Sequence, residues 1–298
     1  MISFIYICCN NIFIKLNVLT DNPAFLDAEI GNSYGIDRVY QWKDIFISLK
    51  SAILFQRSQK ICGAVWFLAT LFFVEIIYWG IEYLCKRIAS KNFSFVFDTI
   101  LLIIYGISVH FTLNNIIDTS GYHVNQIGLS LLLFHMGSKL RNYDKTTKVN
   151  PLFLCFVSIS IMYIIKILKL EGIRYARADI KSGVYLLVCS MAGWFFLYGI
   201  SEILLSNDSI LAQFFVYLGK HTLFILLLHQ FAFKVITFIQ VCFYHEPEYM
   251  LAAFPVLYST KGWWIAYTII GIVVPLSIEK VLHYCMTKIS KNELLSNK

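Results

Sequence analysis

Charged residues are scarce in this sequence, and their scarcity excludes a soluble globular protein. Of 298 residues only 14% are Asp, Glu, Lys or Arg, whereas 58% are apolar and 16% are aromatic. A soluble chain of this composition would expose much of its apolar surface to water. The composition therefore predicts a membrane protein that crosses the bilayer several times.

The familiar motifs of soluble enzymes are also missing. There is no G-x-S-x-G sequence, no P-loop and no dinucleotide-binding fingerprint. The eight cysteines lack C-x-x-C spacing and lie mostly in apolar segments, so we interpret them as small apolar residues. The histidines at 110, 123, 135 and 283 have no repeated i, i+3 or i, i+4 spacing, and no metal site is predicted.

Long apolar segments recur along the chain. A bilayer core about 30 Å thick needs roughly 20 helical residues. Segments of about this length are 63 to 84, 94 to 113, 123 to 140, 150 to 170, 183 to 205, 217 to 240 and 263 to 286. Ile2 to Val18 is an eighth, shorter segment that Asn10, Asn11 and Lys15 interrupt. We predict an all-α membrane helix bundle of about eight transmembrane helices, forming a single domain over residues 1–298.

Basic residues predict the orientation of these helices. The net charge is +7, which in a soluble chain would suggest a nucleic-acid partner, but in a membrane protein the positions of the charges matter more. Basic clusters follow the second, fourth and last spans: Lys86, Arg87 and Lys91; Lys139, Arg141, Lys145 and Lys148; Lys280, Lys288 and Lys291. The positive-inside rule places these clusters and the C-terminus in the cytoplasm. Because the chain is a membrane protein, its expected partner is membrane lipid, and no nucleic-acid partner is expected.

One connection departs from this rule. It carries Lys166, Lys169, Arg174, Arg177 and Lys181, yet the order of the spans places it outside. Two interpretations stay open. The side chains could snorkel to the interface while the topology tolerates one violation of the positive-inside rule, or a function could require positive charge at this place.

Two segments have lengths that do not suit a single span. The apolar run from Ile45 to Phe55 is too short to cross a bilayer and predicts an interfacial or re-entrant helix. The segment from Gln213 to Tyr244 would form a helix of about 48 Å, longer than the membrane is thick. We therefore predict a break at Gly219, with a span beginning near Lys220.

That late span contains an unusual number of ionisable side chains: Lys220, His221, His229 and Lys234. Ionisable groups at membrane depth are costly and usually mark a functional site. A neutral His229 could accept a proton, or it could simply hydrogen-bond to a neighbouring helix, and Lys220 could snorkel to the interface. His221 and His229 are about 80° apart around a helix and could line one side of a cavity.

Carboxylates occur in two other spans. Glu75 lies well inside the span that follows Trp66 and is a functional candidate. Glu82 is expected to pair with Lys86 by i, i+4 spacing, and Glu279 with the adjacent Lys280.

Two motifs resemble the acyltransferase 3 family of integral-membrane acyltransferases, which O-acetylate bacterial surface sugars. One is Trp66-Phe67-Leu68-Ala69-Thr70-Leu71-Phe72, similar to the W-F-L-x-x-L-F span of that family. The other is Gly219-Lys220-His221-Thr222-Leu223 followed by His229, similar to the late G-K-x-[ST]-L motif. The resemblance covers most of the chain from about Ile45 onward.

The resemblance implies transfer of an acyl group, most simply acetyl from acetyl-CoA, to a hydroxyl of a cell-envelope carbohydrate at the bacterial cytoplasmic membrane. No bound cofactor is expected, because acyl-CoA is the donor substrate. His229 is the expected catalytic residue, and Lys220, Arg174, Arg177 and Glu75 are the expected substrate-binding residues. The basic connection with Arg174 and Arg177 resembles a basic loop that precedes a span in such proteins.

The N-terminal part departs from the family pattern. Family members have ten spans, and the first carries an Arg and a deep His that is proposed to be catalytic. Nothing before Lys60 matches this pattern, and the first histidine is His110. We therefore expect an N-terminally incomplete acyltransferase domain. An inactive remnant or interaction protein of the same fold is one alternative, and a transporter or flippase is another, although no inverted repeat supports it.

Overall fold

The computed structural model describes residues 2–26, 36–54, 65–89, 91–114, 116, 123–143, 149–168, 182–206 and 209–296. Across these residues the regular structure is helical and contains no β-strand. The predicted all-α fold class is confirmed.

The α-helices follow one another along the chain. They are α1 (Ile2–Cys8), α2 (Asn10–Lys15), α3 (Trp42–Ile53), α4 (Val65–Ile88), α5 (Phe93–Leu113), α6 (Val124–Tyr143), α7 (Pro151–Ile167), α8 (Gly183–Leu205), α9 (Ile210–Lys220), α10 (Thr222–Tyr244) and α11 (Trp263–Ser296). Short 3-10 helices occupy Pro23–Phe25 and Glu248–Ala252.

Five helices of the described chain are long and apolar enough to cross a membrane. They are Trp66–Ile88, Phe93–Leu113, Gly183–Leu205, Thr222–Tyr244 and Trp263–Lys288. The apolar helix α7 is shorter, with 17 residues, and α6 has 20 residues but is less apolar. The structure thus supports a multi-pass membrane protein, while the predicted number of eight spans stays a prediction.

The segment from Ile2 to Val18, predicted as a short first span, does not form one continuous helix. The segment forms two helices of 7 and 6 residues that are separated at Cys9, and at 1.5 Å per residue neither exceeds about 11 Å. The asparagines explain the interruption. The Asn10 side chain donates to the Arg38 carbonyl at 3.0 Å, and Asn11 both donates to the Tyr40 carbonyl and accepts from its N–H, at 2.8 and 2.7 Å.

The other two predictions about segment length agree with the structure. The short helix predicted at Ile45 to Phe55 is α3, where the Asp44 carboxylate accepts the Gln41 backbone N–H at 3.0 Å. The long segment that ends at Tyr244 is interrupted at His221, between α9 and α10. The break lies two residues beyond the predicted Gly219.

The chain divides into two compact units. One consists of Phe67–Tyr217 and the other of Met1–Trp66 together with Leu218–Lys298. In the first unit, α5 packs on α6 and α7 packs on α8. At Gly199 of α8, an added Cβ would come 2.8 Å from the Pro151 carbonyl oxygen, so the two helix backbones approach as closely as small residues allow.

In the second unit, α10 packs on α11, and the 3-10 helix Glu248–Ala252 packs on α10. A core cluster forms where the connection between α10 and α11 meets the N-terminal segment: Phe25, Val241, Met250, Ala252, Ala253 and Leu257. Phe25 is fully buried there. The N-terminal segment is therefore part of the core of this unit.

Candidate functional site

His229 lies in the first half of α10, about 11 Å from the beginning of the helix, and is half-buried. Its Nδ1 is 3.0 Å from the Ile225 carbonyl oxygen and 2.9 Å from the Leu226 carbonyl oxygen. A carbonyl can only accept, so Nδ1 carries the proton and Nε2 keeps its lone pair. Among the described residues, no hydrogen bond to Nε2 is found. The predicted hydrogen bond from His229 to a neighbouring helix is not present there.

Aromatic side chains hold the His229 ring in place. The Phe233 ring lies edge-on to it with 5.4 Å between centroids, and also lies 5.3 Å from the Tyr267 ring of α11. Gly271 of α11 makes room for Phe233, because a Cβ there would come 2.6 Å from the Phe233 ring. Next to His229, the buried Gln230 Oε1 has no hydrogen-bond partner in the described chain. A basic nitrogen and an amide oxygen thus occur at adjacent positions at membrane depth.

Lys220 and His221 lie at the break between α9 and α10. The Lys220 side chain is exposed. His221 Nδ1 lies 2.8 Å from Glu279 Oε2 of α11, and both side chains are partly exposed. The expected pairing of Glu279 with Lys280 is wrong, because the packing of α10 on α11 gives Glu279 a partner from the other helix. His221 and His229 remain about 12 Å apart along the helix axis and are not brought together.

Lys234 is buried and lies ten residues, about 15 Å, before the end of α10. Its ammonium group donates to the carbonyls of Leu251 and Ala253, both at 2.8 Å. The connection to α11 therefore folds back alongside α10. These bonds give Lys234 a structural role that offsets part of the cost of burying a charge.

A polar cluster fixes the same connection farther along. Gln240, fully buried, donates to the Tyr258 carbonyl at 2.8 Å and accepts the Tyr258 N–H at 3.2 Å. The Tyr267 hydroxyl donates to Gln240 Oε1 at 2.8 Å and lies 3.1 Å from the Thr237 hydroxyl. The buried polar groups of α10 are thus largely used to hold this loop, which leaves His229 as the better candidate for chemistry.

Tyr258 also contacts an acidic residue outside the spans. Its hydroxyl donates to Glu246 Oε1 at 2.5 Å. This hydrogen bond, together with burial and the negative charge of Glu246, raises the pKa of Tyr258 to about 12. The phenol is therefore neutral at physiological pH and ties the loop to the end of α10.

The remaining predicted site residues belong to the other compact unit or lie outside the described residues. Glu75 is exposed on α4, where its neighbours Ile76 and Trp79 are exposed as well. Glu82 forms the expected pair with Lys86 at 2.8 Å. Arg174 and Arg177 lie outside the described residues. Their predicted roles stay predictions.

A second polar cluster, which the sequence did not reveal, joins α4, α5 and α6. His135 Nδ1 lies 3.0 Å from the Tyr78 hydroxyl, and His135 Nε2 lies 2.8 Å from Asp98 Oδ1. Asp98 Oδ2 accepts from Lys139 at 2.5 Å. Tyr78 and His135 are buried, while Asp98 and Lys139 are partly exposed. We call Tyr78, Asp98, His135 and Lys139 the Asp98 cluster.

One signal in the sequence could have pointed to the Asp98 cluster. His135 and Lys139 are four residues apart and share one face of α6. A carboxylate that faces both is expected on a neighbouring helix, because two basic side chains on one face of a membrane helix favour a counter-charge. The sequence does not say which carboxylate this is, since helix packing decides it.

His229 has the geometry of a general base, with one nitrogen oriented by its own helix and the other left to accept a proton. The Asp98 cluster has the geometry of an ionisable network that holds three helices together. Among the described residues, no group of three or more His, Cys, Asp or Glu side chains is placed to hold a metal ion. A scan against protein-family models, a search of curated proteins and a search of solved structures each found no match to this chain.

Proposed function

We propose that this protein is an integral-membrane O-acyltransferase that moves an acyl group, most simply acetyl, from acyl-CoA to a hydroxyl of a cell-envelope carbohydrate. One observation carries the proposal. His229 lies about 11 Å inside a membrane-length helix, with Nδ1 bonded to its own helix, so that Nε2 is the basic nitrogen. An ionisable residue at this depth is retained at a cost that a function would explain.

In this scheme His229 is the general base. Nε2 removes the proton from the acceptor hydroxyl while the hydroxyl oxygen attacks the thioester carbonyl of the donor. The carbon–sulfur bond then breaks, the acyl group stays on the acceptor oxygen, and the departing thiolate takes the proton from the imidazolium. Atoms and charge balance without any further reactant.

The donor carries phosphates, which basic side chains and helix N-termini bind. Lys220 is exposed and directly precedes the N-terminal end of α10, on the predicted cytoplasmic side. Arg174 and Arg177 are predicted on the opposite side of the membrane. A single donor molecule could not meet both, so we assign its phosphates to Lys220.

Glu75 is assigned to the acceptor. Carboxylates accept hydrogen bonds from hydroxyl groups, and an exposed carboxylate within a membrane-length helix is expensive unless it binds a polar partner. Glu75→Gln would keep the size of the side chain and weaken these hydrogen bonds. We expect it to raise the KM for the acceptor more than it lowers kcat.

The test is acyl transfer by the full-length protein in membrane vesicles, with radiolabelled acetyl-CoA as donor and the host's envelope carbohydrate as acceptor. We expect wild type and His283→Gln to transfer label, and His229→Gln to lose at least a hundredfold in rate. His283 is a matched control because it is exposed near the C-terminal part of α11. Full activity of His229→Gln would remove His229 from the mechanism.

A second candidate function is transport or lipid flipping. The Asp98 cluster favours it, because paired acidic, imidazole and ammonium groups within membrane helices are typical of ion or proton paths. Uptake or flipping that wild type performs and Asp98→Asn abolishes, with no acyl transfer by either, would support this function over acyl transfer.

A further inference from the structure

Gln230 follows His229 on α10, and its side-chain oxygen Oε1 is buried without a hydrogen-bond partner. No other side-chain nitrogen or oxygen of the described residues is both buried and unpaired in this way. Gln230 lies about 12 Å from the beginning of a membrane-length helix. Buried polar atoms are nearly always hydrogen-bonded, and an unpaired one destabilises the folded protein. The unpaired oxygen at this depth therefore requires an explanation.

The register between α10 and α11 shows which part of α11 faces Gln230. The two helices are antiparallel: His221, at the beginning of α10, pairs with Glu279, whereas Phe233 meets Gly271. Gln230 lies between these two contacts and is about one turn from Phe233. It is therefore level with the turn of α11 that begins at Gly271.

This turn offers no donor for the Gln230 oxygen. Its sequence, Gly-Ile-Val-Val-Pro at residues 271–275, carries no side-chain donor. Pro275 lacks the N–H that would bond to the Gly271 carbonyl in a regular helix, so the turn adds an acceptor. Lys234 lies one turn beyond Gln230, but its ammonium group donates to carbonyls of the following loop. Lipid hydrocarbon has no donor either. The donor for Gln230 is thus expected from a bound molecule.

We propose that Gln230 binds the acceptor of acyl transfer through a second hydroxyl group, next to the hydroxyl that His229 deprotonates. This inference rests on the proposed acyl transfer. Gln230 and His229 precede Phe233 by three and four residues, and Phe233 contacts α11, so both lie towards the same side of α10. The second hydroxyl donates to Oε1 and keeps its proton throughout the reaction. The acceptor is therefore a compound with neighbouring hydroxyl groups, as on a sugar ring.

The Gln230 oxygen can reach such a ligand. Gln230 as a whole is only half-buried, and the last torsion of a glutamine side chain is broad. A rotation of the amide turns the oxygen towards a molecule bound beside His229. Binding a ligand without the second hydroxyl would leave the oxygen unpaired, and sites of this kind discriminate strongly against such ligands. We therefore expect a simple alcohol to bind much more weakly than a diol.

Thermal unfolding of the full-length protein in detergent separates ligand binding from a structural role. Gln230→Met keeps the length of the side chain and removes the unpaired oxygen, so it should unfold at the same temperature as wild type or higher. Gln240→Met is the matched control. Gln240 is fully buried and bonds to Tyr258 and Tyr267, so this variant should unfold at a lower temperature. A loss of stability in Gln230→Met as large as in Gln240→Met would overturn the proposal.

Acyl transfer in membrane vesicles tests the binding role. With radiolabelled acetyl-CoA and the host's envelope carbohydrate, Gln230→Met should raise the KM for the carbohydrate by roughly tenfold or more. The KM for acetyl-CoA and kcat at saturating carbohydrate should stay near wild type, whereas a distorted site would change all three. Transfer by wild type with an unchanged carbohydrate KM in Gln230→Met would overturn this inference and leave the proposed function standing. No transfer by wild type would overturn both.

Two small competitors test the second hydroxyl directly. We expect trans-1,2-cyclohexanediol to inhibit wild-type transfer to the carbohydrate roughly tenfold more strongly than cyclohexanol does, because only the diol can pair with Gln230 as well as His229. In Gln230→Met the two compounds should inhibit equally. Equal inhibition of wild type by the two compounds would contradict recognition of a second hydroxyl.

Discussion

Nδ1 of His221 and Oε2 of Glu279 lie 2.8 Å apart and join the beginning of α10 to the middle of α11. Glu279→Ala should lower the free energy of unfolding by roughly 1 kcal/mol, because a partly exposed charged hydrogen bond is lost. Thermal unfolding in detergent measures this change. Lys280→Ala is the matched control: Lys280 is exposed next to Glu279, and its replacement should be neutral. A larger loss of unfolding free energy in Lys280→Ala than in Glu279→Ala would contradict this, and would support the pairing of Glu279 with Lys280 that the sequence suggested.

Lys234→Met should destabilise the loop between α10 and α11 more than any exposed substitution does. Methionine keeps most of the side-chain volume but leaves the Leu251 and Ala253 carbonyls without the ammonium donor. We expect a loss of roughly 2 to 3 kcal/mol, typical of a buried polar group that loses its partner. Limited proteolysis at residues 245–262 and thermal unfolding report it. Lys261→Met, in an exposed turn, serves as control, and equal protease resistance of Lys234→Met and wild type would contradict the prediction.

Tyr258 should lose its proton at a higher pH than an ordinary tyrosine does. Its pKa is raised from 10.0 to about 12, with the hydrogen bond to Glu246 as the largest cause. The neutral phenol is thus favoured in the folded protein, so its stabilising effect is complete below pH 10 and is lost as the pH rises from 10 to about 12. Phenolate absorbance of wild type minus Tyr258→Phe gives the titration. Glu246→Gln should shift this difference curve to lower pH, and a Tyr258 midpoint near pH 10 in wild type would contradict the assignment.

The Asp98 cluster should behave as a coupled unit. Asp98→Asn removes the negative charge between His135 and Lys139 and should cost roughly 2 kcal/mol, whereas Tyr78→Phe removes one neutral hydrogen bond and should cost about 1 kcal/mol. The double variant should lose less unfolding free energy than the sum of the losses in the two single variants, because both substitutions act through His135. Thermal unfolding of the single and double variants measures the coupling. Strict additivity would show that the residues act independently.

The sequence by itself predicted the all-α membrane class, the short helix that became α3, and the interruption before the helix with His229. These features depend on local composition and length: apolar runs of about 20 residues, and a run too long for one bilayer crossing. The i, i+4 pair of Glu82 and Lys86 was predictable for the same reason, since both residues belong to one helix.

Tertiary structure decided the partners of the polar side chains that bond across elements. Asn10 and Asn11 interrupt an apolar segment because they bind backbone groups near residues 38 to 40, which no local pattern reveals. Lys234 resembled a site residue in the sequence, but the loop that folds back on α10 satisfies it. A hydrogen bond between helices depends on which faces meet, and helices of similar apolarity in a membrane can pack on one another in many ways. The sequence therefore determined which segments are helical and apolar, whereas packing determined which charges became structural and left His229 with a basic nitrogen.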